Sequence, residues 1–209
     1  YPAFRHNDLK ANNVLLHKIS KDKDKFYYTV LRKRYSVQNV GYTIKLWDFD
    51  FACIPGIINN IKVESEWTKD INVTPVKNAY YDIHYFFNTL AYFFFPRIMT
   101  SSFVPQEVKD FINRVIPEKY RAVNCPHENP KEIKKGKKKP QCGCFNYVHP
   151  RGRLLVSDEY ITPAELLDDP FFKDFVDDST DRSIQKKNTK KRKSFTPAQC
   201  CTQNSKQNV

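Results

Sequence analysis

The alternation of apolar and polar residues predicts strands in the first part of the chain. Three segments are short and either continuously apolar or alternating, at residues 13–16, 26–31 and 42–47. Runs of this length, rich in Val, Ile, Leu, Tyr, Phe and Thr, are typical of strands. The third segment leads directly into Asp48, so a carboxylate is expected at the end of a strand.

The later part of the chain predicts helices. Residues 82–95 are strongly apolar and long enough for a buried helix. Residues 105–115 carry apolar side chains at helical spacing, which predicts an amphipathic helix. A third helix is expected at 164–167. The segment Thr162-Pro-Ala-Glu at its start combines an N-cap Thr, a first-turn Pro and a Glu three residues after the Thr.

Three further stretches predict irregular structure. Residues 53–79 contain Pro-Gly, Asn-Asn and Thr-Pro pairs and are expected to form a long loop. Residues 117–152 are rich in Pro, Lys, Gly and Cys, which indicates an irregular insertion. From about residue 177 the chain is rich in Ser, Thr, Gln, Asn and Lys, as disordered segments are. We therefore expect a folded region at 1–176 and a basic tail at 177–209.

Composition limits the location and the partners of the protein. The net charge of +12 favours anionic partners such as nucleic acid, acidic proteins or phosphates. No run of about 18 apolar residues occurs, so no membrane span is expected. The six Cys residues are scattered, which favours a reducing compartment over a disulfide framework. The chain begins at Tyr1 and not at Met, so we expect the true N-terminus to lie upstream.

A polar loop before the first predicted strand gathers candidate catalytic groups. Asp8, Lys10 and Asn13 lie within one short segment and can converge from it. Phosphoryl transfer needs such groups: a carboxylate for the substrate hydroxyl, a cation for developing charge, and an oxygen ligand for Mg²⁺. Asp48, at the end of its strand, adds a second hard oxygen donor suited to Mg²⁺.

These motifs resemble those of eukaryotic-type serine/threonine protein kinases. His6-Asn-Asp-Leu-Lys-x-x-Asn-Val-Leu-Leu is similar to the kinase catalytic loop, and strand-Asp48-Phe-x is similar to the metal-binding Asp-Phe-Gly motif. The resemblance implies that Asp8 is the catalytic base and that Lys10 neutralises phosphate charge. It also implies that Asn13 and Asp48 bind Mg²⁺ and thereby ATP.

The resemblance extends to supporting residues and to the fold. His6 is similar to the structural histidine that packs toward the metal-binding motif, and Asp82 to the buried aspartate that hydrogen-bonds the catalytic-loop backbone. The segment 162–172 resembles the closing helix of the kinase C-lobe. The implied fold class is α+β, a mainly α-helical C-lobe with a small β-hairpin layer at the active site. Protein substrates and ATP are the implied partners.

A long insertion narrows the resemblance. Residues 18–41 separate the two motifs, where most kinases have a much shorter hairpin. This insertion and the Asp48-Phe-Asp-Phe-Ala segment look like haspin-type kinases, and still more like kinases of nucleocytoplasmic large DNA viruses. The implied location is intracellular, in the host cytoplasm or virion, or in the nucleus if the basic tail directs it there.

The chain also departs from the kinase pattern. Asn7 stands where kinases usually have Arg, so control by activation-loop phosphorylation is not expected. Asp50 replaces the Gly of Asp-Phe-Gly, which suggests a motif fixed in one pose. No Gly-rich loop, strand lysine or partner glutamate occurs before His6. The resemblance places these groups in an N-lobe outside this chain, and we expect the chain alone to be inactive.

Two other functions fit part of the pattern. A small-molecule kinase of the aminoglycoside or choline type shares a His-x-Asp-x-x-x-x-Asn loop, although Lys10 and the Pro170-Phe-Phe ending favour protein substrates. A pseudokinase scaffold with a basic nucleic-acid-binding tail would keep the fold without the chemistry. The presence of all the catalytic and metal-binding residues argues against this second alternative.

Two features outside the kinase motifs have both a functional and a simpler interpretation. Four potential Zn²⁺ ligands are Cys125, His127, Cys142 and Cys144. Their spacing fits no common zinc finger, and an insertion with free thiols explains them more simply. The basic run at 186–193 fits a nuclear signal or a nucleic-acid contact, but also a solubilising tail.

Overall fold

A computed structural model of the chain describes most of the region before residue 178. The described residues are 3–93, 97–121, 147–149, 151–157 and 159–177. The chain divides into two units. The first comprises Tyr1–Asp24 and Gln38–Asp174, and the second comprises Lys25–Val37 and Phe175–Val209.

A two-stranded antiparallel sheet begins the first unit. Strand β1 (Val14–Lys18) pairs with β4 (Tyr42–Leu46), so that Val14 lies opposite Leu46 and Lys18 opposite Tyr42. The pairing extends past the strands, because the Trp47 N–H donates to the Asn13 carbonyl at 2.9 Å. The strands predicted at 13–16 and 42–47 are confirmed. Their antiparallel pairing places the start of β1 beside the end of β4.

A second hairpin, within residues 25–38, forms from the long insertion between the two motifs. Strand β2 (Lys25–Val30) pairs with β3 (Lys33–Gln38), and the turn between them has positive φ at Leu31 and Arg32. The sequence predicts only the first of these strands. The sequence Lys33-Arg-Tyr-Ser-Val-Gln is largely polar, so its pattern does not indicate a strand, although Tyr35 is buried when it pairs with β2.

The segment predicted as a long loop at 53–79 contains two short helices, which corrects that prediction. Helix α1 (Ile61–Glu64) begins at Asn60, whose side chain accepts the Lys62 N–H. Helix α2 (Glu66–Lys69) follows directly. Each helix has a single turn, which is too short to show a helical period in the sequence. A small apolar cluster of Cys53, Val63 and Val73 anchors the segment.

Helix α3 (Tyr81–Asn88) forms the centre of the first unit and continues into a π-helix, Thr89–Phe93. The helix predicted at 82–95 is therefore present as far as residue 93, where the described part of this segment ends, but it widens at Thr89. The Thr89 hydroxyl donates to the Tyr85 carbonyl at 2.7 Å and lies 3.0 Å from the Phe86 carbonyl. Such back-bonding by Thr is known to bend helices. It gives the widening a local cause.

The remaining helices close the core around α3. Helix α4 (Arg97–Thr100) precedes α5 (Gln106–Val115), which buries Phe111, Ile112 and Val115 as its spacing predicts. Helix α6 (Pro163–Leu166) has the predicted capping box, in which Thr162 and Glu165 bond each other's backbone N–H groups. Short 3₁₀ turns add further contacts, at Ala11–Asn13, Glu118–Tyr120 and Pro170–Phe175.

Strands and helices together confirm the predicted α+β class. None of the helices in the described residues has the length and apolar character needed to cross a bilayer. The division of the chain into a folded region at 1–176 and a tail at 177–209 stays a prediction. Residues 122–146 and 178–209 contain the candidate zinc ligands and the basic tail, and they lie outside the described residues.

A cluster of aromatic rings packs around Phe111 in the core of the first unit. Phe111 stacks on Phe171 at 4.5 Å between ring centroids and meets Phe87 and Phe172 edge-on. We predict that Phe111→Ala lowers the unfolding free energy of the full-length protein by about 3–5 kcal/mol. Urea denaturation measures it. The control is Phe103→Ala, because Phe103 is 95% exposed; equal losses for both variants would contradict this account.

Buried His84 makes stability depend on pH. Its Nε2 donates to the Tyr120 carbonyl at 2.7 Å, and burial lowers the pKa of His84 to about 4. The unfolded chain, with an ordinary pKa of about 6.5, takes up the proton first, so stability is lost as pH falls from 6.5 to 4. We predict that the wild type loses about 3 kcal/mol more than His84→Gln between pH 7 and pH 4.

Hydrogen exchange of the α3 amides in the full-length protein measures this difference. Exposed His17 supplies the control, and His17→Gln should leave the pH dependence as in the wild type. An unchanged pH dependence in His84→Gln would mean that other groups cause the acid sensitivity.

Candidate active site

The backbone of the loop before β1 is held by the carboxylate of Asp82, a residue of α3. Asp82 accepts the His6 N–H at 2.7 Å with Oδ2 and the Asn7 N–H at 2.9 Å with Oδ1. Burial raises the pKa of Asp82, while the two N–H groups and the Arg5 guanidinium act to lower it. The predicted contact between Asp82 and the loop backbone is thus present in the structure.

A short bridge holds the same loop from a second side. The N–H groups and carbonyls of Arg5 and Cys53 exchange two hydrogen bonds of 3.0 Å. The Asn7 side-chain amide donates to the Phe51 carbonyl at 3.0 Å. Asn7 has φ of 61°, in the left-handed region, which Asn tolerates better than most residues. The loop is therefore tied to the segment that follows Asp48.

Asp8 is buried, and both of its carboxylate oxygens are engaged. Oδ2 accepts from Lys10 Nζ at 2.8 Å and from Asn13 Nδ2 at 3.0 Å. Oδ1 accepts from Nη2 of Arg153, a residue from the far end of the described chain. The Asn13 amide also donates to the Asp8 carbonyl at 2.8 Å, which fixes the direction in which the amide points.

Asp48 lies beside this cluster at the end of β4. Its Oδ2 is 3.5 Å from Asn13 Nδ2, so Asn13 stands between Asp8 and Asp48. Asp48 has φ of 61°, which turns the chain sharply where the strand ends. Strand pairing explains the approach, because the Trp47 N–H bonds the Asn13 carbonyl immediately before. The structure thus brings together two carboxylates that are 40 positions apart in the sequence.

His6 joins the two motifs from the inside. Its side chain is buried, and its Nε2 lies 3.0 Å from the Trp47 carbonyl, to which it donates. The ring lies 4.8 Å from the ring of Phe49, between centroids. This is the placement that the sequence resemblance implies for His6, packed toward the Asp48-Phe motif.

The donor chemistry at this edge fits a hard divalent cation. Asp48 supplies a carboxylate and Asn13 a carboxamide, which are the oxygen ligands that Mg²⁺ prefers. No cluster of three or more His, Cys, Asp or Glu side chains able to hold a metal occurs in the described part of the chain. A cation here would thus take few protein ligands. Mg²⁺ typically binds in that way, completing its shell with water and phosphate oxygens.

Arg153 is a member of the cluster that the sequence analysis missed. Besides Asp8, its guanidinium contacts the Asn7 carbonyl and the Tyr81 hydroxyl, and it stacks over the Tyr85 ring at 4.4 Å. Burial alone would lower the pKa of Arg153, but the neighbouring tyrosines and Asp8 together raise it. Arg153 stands in the sequence Arg-Gly-Arg, downstream of a Lys-rich stretch. This sequence looks like an ordinary basic segment, so nothing in it indicated a contact with Asp8.

An apolar cavity of about 780 Å³ lies next to the loop. His6, Leu9 and Asp82 contribute to its wall, together with Ile83 and Phe86 of α3. None of Asp8, Lys10, Asn13 and Asp48 lines it. The cavity is therefore separate from the polar cluster.

Comparison with known proteins identifies relatives. A family model described as poxvirus serine/threonine protein kinase matches residues 2–128. A putative serine/threonine-protein kinase of Acanthamoeba polyphaga mimivirus is 41% identical over 181 residues, covering 84% of this chain and 34% of that protein. Serine/threonine-protein kinase 2 of monkeypox virus and of vaccinia virus are each 36% identical over 92 residues, covering 42% of this chain and 17% of theirs.

No solved structure matches the chain. The chain spans about a third of the length of the mimivirus relative and less of the poxvirus relatives. The match to the family model covers more than half of the chain and includes the whole polar cluster except Arg153. The chain therefore belongs to the poxvirus serine/threonine protein kinase family.

Proposed function

We propose that this chain is the C-terminal catalytic part of an ATP- and Mg²⁺-dependent protein kinase. The full-length protein would transfer the γ-phosphoryl group of ATP to Ser and Thr hydroxyls of proteins. The observation that carries the proposal is the convergence of Asp8, Asn13 and Asp48 at one edge of the β1–β4 sheet. Membership of a serine/threonine kinase family supports the same class of reaction.

Asp8 is proposed as the residue that receives the substrate hydroxyl. Its carboxylate accepts hydrogen bonds from Lys10 and Asn13 on Oδ2, and it lies in the loop that the Asp82 carboxylate anchors. Phosphoryl transfer depends mainly on placing the attacking oxygen and on stabilising charge. The hydroxyl would donate its hydrogen bond to Asp8 and pass its proton there as the new oxygen–phosphorus bond forms. The bond between the γ-phosphorus and the bridging oxygen would break at the same time, and ADP would leave.

Lys10 is proposed to stabilise charge on the transferred group. Its side chain is 27% exposed, whereas that of its partner Asp8 is 5% exposed. The ammonium group is therefore accessible to a phosphate group that binds from solvent, and it stays within hydrogen-bonding distance of Asp8. A cation so placed stabilises the negative charge on phosphoryl oxygens in the transition state.

Asn13 and Asp48 are the proposed ligands for Mg²⁺. When bound, Mg²⁺ neutralises and orients the phosphate oxygens of ATP. The amide nitrogen of Asn13 is engaged by Asp8, which leaves its carbonyl oxygen as the atom suited to a cation. His6 supports the arrangement by joining the Trp47 carbonyl to the loop.

The domain and partner assignments belong to the same proposal. Residues 1–176 would form the C-lobe of the kinase, interrupted by insertions at 18–41 and 117–152. Protein substrates and ATP would be the main partners, within an infected cell. Contact with nucleic acid through the tail at 177–209 stays a prediction.

Asp8→Asn in the full-length protein tests the proposed reaction. The amide keeps the shape of the carboxylate but cannot take up a proton, so we predict a fall in kcat of at least about 100-fold. The measurement is transfer of radiolabel from ATP to a protein such as casein, with an amino-sugar as a parallel acceptor.

The matched control is Asp22→Asn, since Asp22 is an exposed aspartate outside the cluster. It should phosphorylate casein at the wild-type rate. Wild-type activity in Asp8→Asn would refute catalysis by this loop. Labelling of the amino-sugar but not of casein would contradict the proposed protein substrates.

A further inference from the structure

Arg153 contacts the proposed catalytic carboxylate and the backbone next to it. Its Nη2 donates to Asp8 Oδ1, and its Nη1 is bonded to the Asn7 carbonyl. Nη1 also lies 3.3 Å from the Tyr81 hydroxyl. These partners belong to the loop that carries the proposed catalytic carboxylate and to the helix beneath it. The guanidinium thus reaches the side chain of Asp8 and the backbone next to it at the same time.

The backbone that carries Arg153 is itself closely held. His149 and Arg153 lie at the two ends of a tight turn that two hydrogen bonds close. The His149 N–H donates to the Arg153 carbonyl and the Gly152 N–H donates to the His149 carbonyl, each at 2.7 Å. Gly152 has φ of 84°, a conformation that Gly adopts readily. The side chain of buried Asn88 donates to the Gly152 carbonyl at 2.9 Å, which ties the turn to α3.

Burial and charge explain why an arginine is needed at this place. The side chain of Arg153 is 7% exposed and that of Asp8 is 5% exposed. A charge taken out of water in this way is costly unless it is paired and hydrogen-bonded. The planar guanidinium offers several donors in a fixed geometry, so it can bond both Asp8 and the Asn7 carbonyl. A lysine ammonium has no such fork.

We propose that Arg153 is a positioning residue for phosphoryl transfer, one that fixes the carboxylate of Asp8 through its Oδ1; this inference rests on the proposed function. Lys10 and Asn13 hold Oδ2, and Arg153 holds the other oxygen. Together the three donors leave the carboxylate one orientation. Arg153 acts through Asp8 and does not touch the substrate.

The expected consequence concerns turnover more than binding. A misplaced carboxylate aligns the attacking hydroxyl poorly, and misplacement by about 1 Å can cost about 100-fold in rate. Binding of ATP does not pass through Asp8 Oδ1 in this arrangement. Loss of Arg153 should therefore lower kcat and leave the KM for ATP largely unchanged.

The experiment compares Arg153→Met, Arg153→Lys and Arg151→Met in the full-length protein. We expect Arg153→Met to lower kcat about 10- to 100-fold with the KM for ATP within about twofold of wild type. Arg153→Lys keeps the charge and should recover part of the loss. Arg151 is exposed in the same turn, so Arg151→Met should behave as the wild type.

Combination with Asp8→Asn separates positioning from a merely structural role. If Arg153 acts through Asp8, then Arg153→Met should cost at most about twofold more once Asp8 is already Asn. Full additivity of the two losses would overturn the inference. A rise of the KM for ATP in Arg153→Met by the same factor as the fall in kcat would also overturn it. Wild-type kcat in both Arg153 variants would overturn it as well.

Two further results keep the inference and the proposed function distinguishable. If Arg153→Met melts below the assay temperature, then Arg153→Lys decides: a lowered kcat with unchanged KM supports the inference, and wild-type kcat overturns it. Wild-type activity in Asp8→Asn refutes the proposed function itself. Loss of activity in Asp8→Asn together with wild-type activity in Arg153→Met refutes the role of Arg153 alone.

Discussion

The bond between one carboxylate and two backbone N–H groups is the constraint on which the rest of the site depends. Asp82 holds the amides of His6 and Asn7 from α3, and hydrogen bonds to a charged acceptor are stronger than those between neutral groups. The Arg5–Cys53 bridge and the bond from the Asn7 side chain to the Phe51 carbonyl hold the same loop from a second side. With the backbone fixed there, the side chain of Asp8 projects toward Asn13 and the end of β4.

The anchor also explains how separate parts of the chain form one cluster. The β1–β4 pairing places Asp48 beside Asn13. Helix α3 places Asp82 where it bonds the backbone of the loop. The turn that carries Arg153 is bonded to the same helix through Asn88. Helix α3 is buried among aromatic and aliphatic side chains, so its position is set by the core. The placement of the polar groups thus follows from the packing beneath them.

Much of this arrangement could be predicted from sequence, and the remainder could not for physical reasons. The motifs around Asp8 and Asp48 each lie in a contiguous segment, so their resemblance to kinase motifs could be recognised and implied that they approach each other. Arg153 lies 145 positions from Asp8, and no local pattern records a contact over that separation. The one-turn helices α1 and α2 are too short to show a period. The widening at Thr89 depends on a single hydroxyl bonding back to its own helix.

The closed turn at Arg153 has a consequence for how this chain can vary. Its geometry is set by bonds between His149 and Arg153 and by the side chain of Asn88. Asn88 lies in α3, as does Asp82, which anchors the loop of Asp8. A substitution that displaced this helix would therefore move both partners of the Asp8–Arg153 ion pair together, whereas a substitution confined to the turn would move Arg153 alone.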